Sequence, residues 1–62
     1  MPNVVIEMVE GRTMEQKREL VKKITNAVSE VLKVEPASVA IRILNFRRDD
    51  WAKGGELFSD HK

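Results

Sequence analysis

The chain has no cysteine, a single histidine, and among its 62 residues only three aromatic side chains, Phe46, Trp51 and Phe58. Without cysteine there is no disulfide framework and no thiolate metal centre, and a reducing compartment is the natural setting. His61, at the carboxyl end, leaves no metal-ligand spacing and no nucleophile triad. The three glycines do not form a phosphate-cradling loop. No apolar run approaches the ~20 residues of a membrane span, and no cationic start precedes an apolar core, so a soluble, cytoplasmic protein is expected. Eleven Lys+Arg against ten Asp+Glu is nearly balanced. Bulk charge therefore gives no reason to expect nucleic acid or an anionic membrane as partner.

With no repeat, low-complexity segment or linker, residues 1–62 read as one domain. Domains near this length bury only about 60% of the surface their unfolded chains expose. They usually need a disulfide, a metal or a partner copy to be stable. The first two lack their residues, which leaves oligomerisation.

What is present reads as strand, helix, strand and a short tail. Asn3 to Val9 is β-branched and apolar, with Val4, Ile6 and Met8 on one face and Val5 and Val9 on the other. Glu10-Gly11-Arg12 is a turn, and Thr13-Met14-Glu15-Gln16 matches a capping box that opens a helix. Leu20, Val21, Ile24, Ala27, Val28, Val31 and Leu32 then recur at three- and four-residue steps as one apolar stripe. Lys17, Arg18, Lys22 and Lys23 form a solvated basic face, and Pro36 is the expected stop. Val39 to Phe46 predicts a second strand, with Val39, Ile41 and Ile43 on one side and Ala40, Arg42, Leu44 and Phe46 on the other.

This order predicts an α/β fold: a parallel, right-handed β-α-β unit whose helix covers one sheet face. One helix cannot cover two. The second apolar face and the open strand edges point to further copies of the chain. Gly54-Gly55 between Trp51 and Phe58 predicts a small hairpin arm that docks on a neighbour. Glu7 and Asn45 read as exposed or interface groups, and His61 as frayed.

Pro2 is the unusual residue. Proline at the head of a strand is tolerated for structural reasons alone. If Met1 is removed, however, Pro2 exposes a basic secondary amine. Moving a proton between two carbons of an enol or unsaturated keto acid requires a base that is neutral at working pH and hands the proton back. A free α-amino group titrates near ~7.7–8.0, and apolar walls and nearby arginines would lower that value. The partner group must grip a carboxylate and stabilise charge on the adjacent carbonyl oxygen, a task suited to guanidinium.

Pro2, Glu10-Gly11-Arg12, Glu15-Gln16-Lys17, the helix of about twenty residues and Gly54-Gly55-Glu56-Leu57 together resemble the 4-oxalocrotonate tautomerase family over nearly the whole chain. The resemblance implies a β-α-β subunit, a dimer with a shared four-stranded sheet, and a homohexamer built as a trimer of dimers. It also implies cofactor-free proton transfer by Pro2 as general base, a carboxylate held by Arg12, and Trp51 closing the pocket. The family's second arginine falls at Ala40, which cannot bind an oxyanion. Arg42 lies two residues on, displaced by roughly 7 Å, and either substitutes or pairs with a carboxylate between subunits. The expected activity is keto-enol tautomerisation of a small 2-hydroxydienoate, 2-oxo acid or arylpyruvate enol. The alternatives are a non-catalytic oligomer, if Met1 stays, or a hydratase or dehalogenase on the same scaffold, for which no water-activating residue stands out.

Overall fold

Thr13 opens the longest element through both arms of its capping box: the Gln16 N–H donates to Thr13 Oγ1 at 3.0 Å, and the Thr13 N–H donates to Gln16 Oε1 at 2.9 Å. The computed structural model describes residues 1–60, so the expectation for His61 lies outside the described residues. Strand β1 (Asn3–Val9), helix α1 (Met14–Leu32) and strand β2 (Ala40–Phe46) form the body. The short strands β3 (Ala52–Lys53) and β4 (Glu56–Leu57) form the tail hairpin.

β1 and β2 pair in parallel from Asn3↔Ala40 to Val9↔Phe46. This register places Val4, Ile6 and Met8 level with Ile41, Ile43 and Asn45 on one face, and Val5, Glu7 and Val9 level with Arg42, Leu44 and Phe46 on the other. The first face takes α1 through Leu20, Val21, Ile24 and Val28, all half-buried. The other face is open, with Val5 51% and Leu44 43% exposed.

Four expectations need correction. Pro36 does not stop the helix. α1 ends at Leu32, and Lys33 turns into the left-handed region (φ 59°, ψ 44°) with its N–H on the Ser29 carbonyl. The Val34 N–H reaches the same carbonyl at 3.2 Å, and Ser29 Oγ donates to the Val34 carbonyl at 2.6 Å. Pro36 instead starts a 3-10 turn, Pro36–Ser38, so β2 begins at Ala40 rather than Val39. The stripe is also shorter than its periodicity suggests: Val31 and Leu32 are 75% and 57% exposed, and Ala27 is exposed as well. Lys17 is half-buried, while Arg18, Lys22 and Lys23 are exposed as expected.

The hairpin follows its turn chemistry. Gly54 and Gly55 both have positive φ (62° and 82°), as a two-residue type I′ turn requires, and Ala52 pairs with Leu57.

No described residue is fully buried. The chain exposes 5219 Å², roughly 1,100 Å² beyond the ~4,100 Å² usual for a folded monomer of this mass. That surplus exceeds the ~800 Å² one partner contributes to a standard interface. The radius of gyration, 14.8 Å, is likewise above the ~10.5 Å expected for this length. This subunit is shaped to be completed by others.

Candidate active site

Pro2 stands just ahead of β1, half-buried. Its carbonyl accepts the Ala40 N–H at 3.0 Å, which ties it to the head of β2. Met1 is 87% exposed and outside the strand, so its removal takes nothing from the fold. Arg42 sits on the open face level with Val5, two residues beyond Ala40. Pro2, Ala40 and Arg42 therefore belong to one end of the sheet.

Arg12 and Trp51 belong to the other end. The Glu10 N–H donates to the Phe46 carbonyl at 2.7 Å, and Gly11, at φ 120°, swings the chain through Arg12 into the helix cap. Arg12 is exposed, and neither it nor Arg42 has an acidic partner among the described residues. After Phe46 a 3-10 turn, Arg48–Asp50, delivers Trp51 beside Glu7, Met8, Val9 and Phe46. On its other side Trp51 borders a hollow of about 430 Å³ lined by Lys53, Gly54, Glu56, Leu57 and Phe58. Trp51 meets Phe58 edge to face, with centroids 5.6 Å apart.

Within one chain the four predicted residues therefore form two pairs rather than one cluster. Six strand steps from Asn3 to Val9 separate the Pro2 end from the Arg12 end by roughly 20 Å, more than an arginine side chain spans. Three residues around Trp51 escaped sequence reasoning. Glu10 Oε2 accepts the Arg48 N–H at 3.1 Å, and the Arg48 guanidinium lies 4.7 Å from the Phe58 ring centroid. Glu10 and Arg48 are 38 positions apart, so no local pattern links them.

The family model described as Tautomerase enzyme matches residues 2–61. The chain belongs to the tautomerase family. It is 43% identical over 60 residues to the 2-hydroxymuconate tautomerase of Bacillus subtilis (strain 168), with 97% of each chain covered. It superposes on the crystal structure of YwhB, a homologue of 4-oxalocrotonate tautomerase, with a TM-score of 0.92 at 41% identity, covering 98% of this chain and 100% of that one. A heterohexamer 4-oxalocrotonate tautomerase from Chloroflexus aurantiacus J-10-fl matches over the full length of both chains, with a TM-score of 0.91 and 31% identity. The tautomerase fold and an isomerase activity of this class thus stand on fold and sequence together. Among the described residues no helix of this tautomerase is long and apolar enough to cross a membrane.

Proposed function

We propose that the protein is a cofactor-independent keto-enol tautomerase of small 2-hydroxydienoates, 2-oxo acids or arylpyruvate enols, with each pocket built from more than one copy of the chain. After loss of Met1, the Pro2 nitrogen takes a proton from the enol hydroxyl or a neighbouring carbon and returns it elsewhere on the conjugated chain. Arg12 of another copy holds the substrate carboxylate. Arg42 polarises the 2-oxygen, and Trp51 shields the reacting atoms from water, which strengthens every charge interaction inside.

The observation that carries this reading is the division of the residues along β1. Pro2 and Arg42 occupy one end and Arg12 and Trp51 the other, in a subunit with no buried residue of its own among those described. A second copy supplies both the missing cover and the missing half of the pocket. The uncovered sheet face and strand edges favour a four-stranded dimer sheet and a homohexamer of three such dimers. The heterohexameric relative supports six subunits as an arrangement open to this fold. A cytoplasmic location fits the absence of cysteine.

The deciding experiment is an ultraviolet assay of Met1-free protein against 2-hydroxymuconate and phenylenolpyruvate, with Pro2→Ala as control. Turnover that falls about 10²-fold or more in Pro2→Ala supports the reading. Equal turnover in both proteins overturns it.

A further inference from the structure

Arg48 opens a 3-10 turn whose preceding residue, Arg47, has no side-chain oxygen to cap it. The N–H of Arg48 would then lack a partner at the head of the turn. Glu10 supplies one from the turn after β1: Oε2 accepts the Arg48 N–H at 3.1 Å, while the Glu10 N–H donates to the Phe46 carbonyl at 2.7 Å. A single residue thus stitches the β1–α1 turn to the tail with its backbone and its carboxylate.

The chain of contacts continues outward. The Arg48 guanidinium is held over the Phe58 ring at 4.7 Å, a geometry in which the ring face attracts the cation. Phe58 meets Trp51 at 5.6 Å with ring planes 82° apart, and the Phe58 N–H donates to the Trp51 carbonyl at 2.8 Å. Each end of this relay borders a residue of the proposed site: Arg12 is two positions after Glu10, and Trp51 closes the far end.

We propose that Glu10 is a positioning residue which, through Arg48 and Phe58, fixes Trp51 relative to Arg12. The inference rests on the roles assigned above to Arg12 and Trp51. Glu10 itself touches neither substrate nor proton. By setting the gap between the carboxylate grip and the aromatic wall, it acts on how well substrate is held, and only weakly on the proton transfer.

The test compares Glu10→Ala with Glu10→Gln in the assembled protein. Glutamine keeps a carbonyl oxygen that accepts the Arg48 N–H, whereas alanine removes it. Glu10→Ala is expected to raise KM for 2-hydroxymuconate about five- to tenfold with kcat within threefold, while Glu10→Gln stays within twofold in both. Trp51 is the chain's only tryptophan and reports independently. Its emission should shift to the red in Glu10→Ala, with acrylamide quenching at least doubled, and match wild type in Glu10→Gln. If Glu10→Ala does not assemble, Arg48→Ala, which frees the Phe58 face, should give the same shift and quenching. Wild-type Trp51 emission in the alanine variant that assembles, equal damage from glutamine and alanine, or a loss confined to kcat would each overturn the proposal. Should Pro2→Ala prove fully active, the tautomerase mechanism falls, while the fluorescence result for Glu10 stands.

Discussion

The Ala40 N–H donates to the Pro2 carbonyl at 3.0 Å. Since the bond uses the carbonyl, the Pro2 nitrogen carries no structural duty, and the ring can be exchanged without disturbing the strand register. Pro2→Ala should therefore keep wild-type circular dichroism and assembly while kcat/KM falls about 10²- to 10⁴-fold, the range of a lost general acid–base.

Met1 decides whether that nitrogen is an amine or an amide. Active protein is expected to be lighter than the full sequence by one methionine on intact-mass measurement. A preparation that retains Met1 should be no faster than Pro2→Ala.

Arg12 and Arg42 should fail differently. Arg12 is exposed and without an acidic partner among the described residues, so Arg12→Ala leaves the subunit intact and removes a charge-assisted grip of about 1.5–3 kcal/mol. Initial-rate kinetics should show KM raised roughly 10- to 100-fold. Arg42→Ala should lower kcat more than it raises KM. A variant that changed only the sedimentation coefficient would reassign Arg42 to a subunit contact.

The open sheet face gives a prediction about assembly. Leu44, level with Glu7 and 43% exposed in the isolated chain, is expected to be covered between copies. Leu44→Glu places a second carboxylate beside Glu7 there, and like charges directly across strands repel when buried. Analytical ultracentrifugation should find smaller species, with activity lost in parallel.

Thr13 is a control on stability alone. Thr13→Ala breaks the capping box and should cost about 1 kcal/mol per chain, lowering the thermal midpoint at fixed protein concentration with KM unchanged.

Much of the body is readable from residue order because its signals are local. The Thr13–Gln16 capping box and the alternation of Val4, Ile6 and Met8 each specify their own neighbourhood, as does the Gly54-Gly55 turn. The end of α1 is not readable in this way, because Lys33 takes a left-handed conformation that glycine or asparagine usually fills. Its support, the Ser29 side chain and carbonyl, looks ordinary in sequence. Periodicity marks Val31 and Leu32 as apolar but cannot say which subunit covers them. Pro2, Arg12, Arg42 and Trp51 could be chosen for their chemistry. Their separation along β1 emerges only from the register, and the Glu10–Arg48 contact only from the folded chain.

A pocket shared between copies, as proposed, ties turnover to mass action, because Pro2 and Arg12 stand at opposite ends of β1. Dilution below the dissociation midpoint should dismantle the catalyst itself, so specific activity falls with concentration even at saturating substrate. Conversely, a chain crippled at Pro2 and another crippled at Arg12, each slow alone at low substrate, should regain a fraction of the rate when refolded as a mixture, because some mixed pockets draw both intact halves.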